Sequence, residues 1–319
     1  MHSNVSGDTP RVIVIQGPTA SGKTDLAHQI VERIPVQIIS ADSRQIYRGL
    51  DIGTAKPSPD DRLRYRYHGI DLCNPDEQIS AGTFAQHAWK WIADIASTGD
   101  IALIVGGSGL YVRAIVEGFV AEPVAIPRAI REQLTQRLQT EGRDALYHEL
   151  ASVDPESALR YVDRNPRRVL RALEFYYASG IPLSRAHRSM HIQPPPMNVL
   201  TIHLLPEHAL LYDRINHRTQ QMWARGLLDE LRSLLDAGYS ESLQIFDTIG
   251  YAEARAVLNN ILTREEAIAR TAQRTRHYAK RQYTWLRNRA QHSSEQVLTI
   301  PLFGSEVTNL HELISHHCS

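Results

Sequence analysis

Val12-Ile13-Val14-Ile15-Gln16-Gly17-Pro18-Thr19-Ala20-Ser21-Gly22-Lys23-Thr24 is the segment that fixes the architecture. The four apolar residues read as a buried strand, and residues 25–34 have the pattern of a helix. Between them lies Gly-x-x-x-x-Gly-Lys-Thr, the phosphate-loop pattern. Its glycines let the backbone curl so that successive N–H groups point at phosphate oxygens; Lys23 adds a positive charge, and the Thr24 hydroxyl is placed to ligate Mg²⁺. The phosphate-binding residues expected are therefore Gly17, Pro18, Thr19, Ala20, Ser21, Gly22, Lys23 and Thr24. A glycine-rich turn that binds nothing would not need this strand before it and this helix after it. The loop alone leaves open which phosphate ester it holds.

Around this loop, 319 residues can bury a full core and leave room for one or two smaller modules. Lys plus Arg and Asp plus Glu are 35 each, so no whole-molecule field advertises a polyanionic partner, and any nucleic-acid surface must come from local clustering. Cys73 and Cys318 are far apart and match no metal spacing, which argues for a reducing compartment without disulfides. Residues 1–10 are polar, unlike a signal peptide, and no apolar run approaches membrane-spanning length. A soluble, cytoplasmic protein with no membrane partner is expected.

Val36-Gln37-Ile38-Ile39-Ser40 reads as a second buried strand. It delivers Asp42 to the carboxyl edge of the sheet, where ligands of open parallel sheets sit. Asp42 is there either as a reacting group or as a turn or helix-cap aspartate. Residues 51–57 form a polar loop, whose Thr54 and Lys56 face either the site or water, and residues 81–97 an amphipathic helix. Residues 101–105 are a further strand ending in Gly106-Gly107-Ser108-Gly109-Leu110-Tyr111. Many phosphate-loop NTPases end such a strand in an aspartate that holds Mg²⁺; glycines and a serine here count against ordinary ATP or GTP hydrolysis.

From 127 to 190 the alternation of strand and helix stops and helices alone are predicted. Arg164, Arg167, Arg168 and Arg171 recur at three- and four-residue spacing, on one predicted helix face. That face is either solvated and salt-bridged or aimed at an anion. Pro194-Pro195-Pro196 acts as a stiff break, and residues 199–205 resume the strand pattern, so 125–197 reads as an excursion from a core made of 1–124 and 198–319. Residues 206–289 are predicted helical. The most basic stretch, 270–289, holds Arg270, Arg274, Arg276, Lys280, Arg281, Arg287 and Arg289 with no acidic residue, interleaved with His277, Tyr278, Tyr283 and Trp285, a mixture suited to a phosphate backbone and stacked bases. The alternative is aromatics packed inward and charges merely solvated. The tail after Gln291 is weakly patterned, and His316-His317-Cys318 is too short for a metal site.

Taken together, the motifs GPTASGKT (17–24), ISADSRQIY (39–47), DIGTAKP (51–57), GGSGLY (106–111), RRVLRALE (167–174), IGY (249–251) and TRHYAKRQYTW (275–285) resemble the tRNA dimethylallyltransferases. They span nearly the whole chain in order, and only the phosphate loop is specific by itself. The resemblance implies an α/β fold, a phosphate-loop, nucleoside-triphosphate-hydrolase-like parallel sheet, with an all-helical tRNA-binding insertion and a helical C-terminal region. It implies transfer of a dimethylallyl group from its diphosphate to N6 of the adenosine 3′ of the anticodon. The loop, nucleotide-binding and ATP-binding in other proteins of this fold, would hold the prenyl diphosphate instead, with Mg²⁺ as cofactor. The family usually has Thr where this chain has Ser108.

The roles follow from the resemblance. Asp42 is the expected general base, Lys23 and Arg218 the stabilisers of the leaving diphosphate, and Ser108 a hydroxyl donor beside phosphates and base. Contacts with the tRNA anticodon stem-loop are expected at Asp42, Ser43, Arg44, Gln45, Arg167, Arg168, Val169, Leu170, Arg171, Ile249, Gly250, Tyr251, Arg276, Lys280, Arg281 and Gln282, in a bacterial-type protein acting as a monomer. A small-molecule kinase using ATP would share the fold but not need the basic aromatic helix. Prenyl transfer to free adenine nucleotide would not need the arginine-rich helices, and a non-catalytic RNA-binding module would not need Lys23 with Asp42.

Overall fold

In a computed structural model the described residues are 9–120, 126–290, 296–309 and 314. The elements run β1 (Arg11–Gln16), α1 (Lys23–Val31), β2 (Val36–Ser40), α2 (Pro59–Arg64), β3 (Tyr67–His68), α3 (Ala81–Ser97), β4 (Ile101–Gly106), α4 (Gly109–Glu117) and β5 (Phe119–Val120). Next come α5 (Arg128–Thr140), α6 (Gly142–Val153), α7 (Pro155–Arg160), α8 (Pro166–Ser179), α9 (Leu183–Ser189) and β6 (His191–Ile192). The chain finishes with β7 (Asn198–Leu204), α10 (His208–Ala224), α11 (Leu227–Asp236), α12 (Tyr251–Leu258), α13 (Arg264–Ala290) and β8 (Gln296–Ile300).

Six strands form one sheet in the order β3-β2-β4-β1-β7-β8, every pair parallel. A parallel sheet covered on both faces needs strands buried on both faces, which is why β1 carries the unbroken run Val12–Ile15 and β2 is buried along its length, its one interruption, Gln37, being bonded to Asp100 and His68. Ile13, Ile15, Leu26, Ile30, Ile38, Leu103, Leu200 and Ile202 make its core with α1. The central strand β1 ends at Gln16, paired with Gly106 of β4 and His203 of β7, so three loops emerge at one edge. The C-terminal region is helical as expected only to Ala290. β8, which the weak pattern after Gln291 did not reveal, then adds a parallel edge strand to β7. His316, His317 and Cys318 lie outside the described residues, and among the described residues no helix is long and apolar enough to cross a membrane.

The chain divides into two compact units, Met1–Val116 with Pro194–Ser319, and Glu117–Gln193. The smaller unit is helical except for an antiparallel ladder that pairs Phe119 with Ile192 and Val120 with His191. That ladder brings residues before 125 into the unit, whereas 125–197 is the span read from the sequence; the boundary at 124–125 itself lies outside the described residues. Leu134, Leu146, Leu150, Val169, Leu173 and Phe175 form its core. Buried Asp154 caps α7 by accepting the Ser157 N–H at 3.1 Å and ties it to α9 through the Ser184 N–H at 2.9 Å.

Candidate phosphate-binding cleft

The loop after β1 has the geometry its sequence demands. Gly22 takes the left-handed conformation at φ 83° as α1 begins, and Ala20 does so at φ 66°. Lys23 folds back so that its ammonium donates to the Gly17 carbonyl at 3.0 Å and the Pro18 carbonyl at 2.8 Å. Burial, with Arg218 adding, pulls its pKa down to about 8, and Asp42 opposes the fall. A cation so placed gains by meeting an anion. Arg218 on α10 reaches the Thr19 hydroxyl at 3.5 Å; burial lowers its pKa as well, offset by Asp42 and Asp25.

Asp42 follows the last residues of β2 and is half-buried; one of its oxygens accepts the Arg44 N–H at 2.9 Å. The turn aspartate and the reacting group are therefore compatible: Asp42 closes a local turn, and it stands close enough to Lys23 and Arg218 for its charge to act on them. Ser108, after β4, accepts the Ser43 N–H at 3.0 Å and donates to the Ser43 hydroxyl at 3.2 Å, tying the ends of β2 and β4 together. Gln45 is held by the Ser40 hydroxyl at 2.7 Å and donates to the Ala55 carbonyl at 3.1 Å.

α13 crosses this edge. A cavity of about 220 Å³ opens beside the loop, lined by Gly17, Gly106, Leu110, Tyr278, Arg281 and Trp285 among others. Gly109 leaves room for the Trp285 indole, which would stand 2.7 Å from a Cβ there. Tyr278 and Trp285 remain 36% and 38% exposed, with the Arg281 guanidinium 5.7 Å over the first ring and that of Arg289 5.5 Å over the second. Burial, with the Asp42 charge next, pushes the Tyr278 phenol up to about 12. Gln282, expected at an RNA surface, is instead buried. It accepts the Thr19 N–H at 2.9 Å and donates to the Gly107 carbonyl at 2.8 Å, bridging the phosphate loop and the end of β4.

Other expected RNA contacts are also redirected by packing. Tyr251 is fully buried and donates to Glu230 at 2.5 Å, while the same carboxylate accepts the N–H groups of Asp51, Ile52 and Gly53 at 2.8, 2.6 and 3.0 Å. Gly250 is buried too, its N–H bonded to Glu253 at 2.8 Å, and Ile249 before it is half-buried. Lys56 faces neither cleft nor water: it is buried against Asp51 at 3.0 Å and Asp71 at 2.5 Å. Arg276 is half-buried and donates to Asn216 at 2.5 Å, leaving Lys280 and Arg281 as the exposed cations of that motif. In the smaller unit Arg167 and Arg168 are exposed on α8, Leu170 and Arg171 are half-buried, and Val169 is core. Arg164 precedes α8 and pairs with Asp144 at 2.9 Å, so it does not share the helix face predicted for it.

Two groups escape a reading of the sequence. Glu230 carries no local signal, because its partners lie far away in the chain. His203, at the end of β7, is fully buried with Nε2 3.3 Å from the Gln16 amide oxygen and no partner at Nδ1; burial, with Arg289 adding, drives its pKa down to about 4. For Mg²⁺ the donor set is spare. Thr24 is exposed in the first turn of α1, and among the described residues no group of three His, Cys, Asp or Glu could hold a metal. One hydroxyl suits a Mg²⁺ that keeps most of its waters and arrives on a diphosphate.

Known proteins resemble this chain throughout. The profile of the family described as IPP transferase matches residues 45–289. The tRNA dimethylallyltransferase of Geobacter metallireducens is 42% identical over 277 residues, 87% of this chain and 89% of that protein. That of Myxococcus xanthus is 43% identical over 87% and 90%. Among solved structures, the tRNA isopentenylpyrophosphate transferase of Bacillus halodurans is 35% identical with a TM-score of 0.67, over 96% of this chain and 94% of its own. A eukaryotic dimethylallyltransferase acting on tRNA is 26% identical with a TM-score of 0.75, over 97% of this chain and 77% of its own.

Proposed function

The chain belongs to the IPP transferase family, prenyltransferases that carry a dimethylallyl group from its diphosphate to tRNA, and we propose that its acceptor is N6 of the adenosine 3′ of the anticodon. The observation that carries the site assignment is the pairing of opposite tasks on one sheet edge. Two half-buried cations lie by the phosphate loop, Lys23 on the Gly17 and Pro18 carbonyls and Arg218 at the Thr19 hydroxyl, and Asp42 stands on the same sheet edge, just past β2 and beside the Ser43–Ser108 tie.

The adenine amine is a weak nucleophile because its lone pair is delocalised into the ring. As N6 attacks the allylic carbon, its proton passes to the second oxygen of Asp42, the first being engaged by Arg44. The carbon–oxygen bond breaks and the electron pair leaves with the diphosphate. Loop N–H groups, Lys23 and Arg218 stabilise the growing charge. Thr24 would hold Mg²⁺, which supplies further neutralisation of the diphosphate when bound. Ser108 keeps the hydroxyl of the family's usual Thr and, through Ser43, fixes the turn that carries Asp42.

For the RNA, Arg167, Arg168 and Arg171 in the smaller unit and Lys280 and Arg281 in the larger are the proposed phosphate contacts. Ser43, Arg44, Gln45 and the aromatic faces of Tyr278 and Trp285 would meet the unstacked base. All these groups belong to one chain, and a monomer in the cytoplasm is the proposed working form. The kinase reading loses ground because β4 ends in glycines and a serine, without an acid for nucleotide-bound Mg²⁺. Mass spectrometry of tRNA incubated with the protein, Mg²⁺ and dimethylallyl diphosphate tests the proposal: one prenylated adenosine beside the anticodon is expected. RNA-independent consumption of ATP with unmodified tRNA would refute it.

A further inference from the structure

The family profile ends at residue 289, yet the segment that follows β8 reaches back to the phosphate loop. A short turn at Gly304–Glu306, closed by the Glu306 carboxylate accepting the Phe303 N–H at 3.0 Å, lies against the loop and α1. The Gly304 N–H donates to the Ser21 carbonyl at 3.1 Å. The approach is so close that a Cβ on Gly304 would stand 2.0 Å from the Gly22 carbonyl oxygen and 2.9 Å from the Leu26 Cβ. Phe303 anchors the turn: it is buried with Leu211 and Ile215 of α10 and Ala279 of α13, with Ala20 of the loop packed on the same cluster. The Arg214 guanidinium lies 4.2 Å over its ring and pairs with Asp25 of α1 at 3.5 Å.

Ser21 sits between two residues in the left-handed region, Ala20 and Gly22, and its own hydroxyl is buried without a partner. The loop and α1 fix the groups on either side, the Ser21 N–H on the Pro18 carbonyl at 3.3 Å and the Gly22 carbonyl beneath the Leu26 N–H at 3.0 Å, while the Ser21 carbonyl itself is held by the Gly304 N–H. In a trans peptide the C=O and the next N–H point in opposite directions. Holding the Ser21 carbonyl toward Gly304 thus aims the Gly22 N–H away from the C-terminal turn, as a donor to a bound phosphate must be aimed. We propose that Gly304 is a positioning residue of the donor site: its N–H orients the Ser21–Gly22 peptide for diphosphate binding, and only a residue without a side chain can come this near.

This rests on the reading of the loop as the donor site, and the test separates the two. The full chain and Gly304→Ala are titrated with inorganic pyrophosphate and Mg²⁺ by calorimetry, and prenyl transfer is followed against dimethylallyl diphosphate. Removal of one well-aimed donor predicts pyrophosphate affinity lower by about tenfold and at least a similar fall in kcat/KM for the donor, with anticodon stem-loop affinity within about twofold. A cooperatively melting Gly304→Ala with unchanged pyrophosphate affinity overturns the inference and leaves the function standing. Absence of both pyrophosphate binding and prenyl transfer in the unaltered chain overturns both. Should Gly304→Ala fail to fold, Phe303→Leu carries the test: a lowered kcat/KM for the donor with unchanged stem-loop affinity supports the brace, and an unchanged kcat/KM overturns it.

Discussion

Beside the phosphate loop the cations are few and half-buried; in the smaller unit they are many, mostly exposed and largely matched by carboxylates. Lys23 and Arg218 have pKa values drawn down by burial. Arg128, by contrast, holds Glu132 at 2.6 Å, and Arg160 holds Glu156 at 2.5 Å, all four side chains exposed to solvent. Surface pairs like these cost little to keep and contribute little. Half-buried cations are expensive unless an anion arrives, so the difference separates a binding site prepared for a diphosphate from charges that an RNA backbone can meet one by one.

The largest effect is expected at Asp42, the carboxylate on the same sheet edge as the phosphate loop. Asp42→Asn should leave pyrophosphate and tRNA binding nearly intact and lower turnover by roughly 10²- to 10⁴-fold, the scale of a positioned general base. Single-turnover rates with both substrates saturating give the answer, and a near-normal rate would remove Asp42 from the chemistry.

Lys23→Met should weaken pyrophosphate binding by roughly 10- to 100-fold, as expected when a charge-assisted hydrogen bond is removed, without lowering the melting temperature of the donor-free protein. The same lysine predicts a pH dependence. Its free pKa is about 8, and a bound diphosphate favours the charged form, so the pKa rises on binding. Binding should therefore take up protons near pH 8 and weaken as pH rises through that value. Calorimetry in two buffers of different ionisation enthalpy measures the uptake, which should vanish in the Met variant.

In the smaller unit, Arg167→Gln with Arg168→Gln should leave pyrophosphate affinity unchanged. It should reduce the slope of log tRNA affinity against log salt by about one for each arginine that meets a phosphate. An unchanged slope would make both residues merely solvated. The smallest effect belongs to the paired surface: Arg160→Gln should shift folding free energy by no more than about 0.5 kcal/mol in denaturant titrations, even though Glu156 also holds Arg188.

The phosphate loop, the strands that are apolar on both faces, Asp42 at a strand end and the basic stretch within α13 are all legible in the order of residues alone. Each of these is a local pattern: a backbone that must curl, a strand with no polar face, a charge run at helical spacing. Which residues of a motif face a ligand emerges only once the chain is folded. Gln282 meets Thr19 across 263 positions and Glu230 meets Gly53 across 177, separations at which no periodicity reports contact. Tyr251 and Val169 stand in motifs that resemble an RNA-binding family, yet their side chains fill cores, because a motif records the kind of residue and packing decides which way it points. Gly304 is the extreme case: one glycine in a weakly patterned tail acquires its meaning from the 2.0 Å that would separate a Cβ there from the Gly22 carbonyl oxygen.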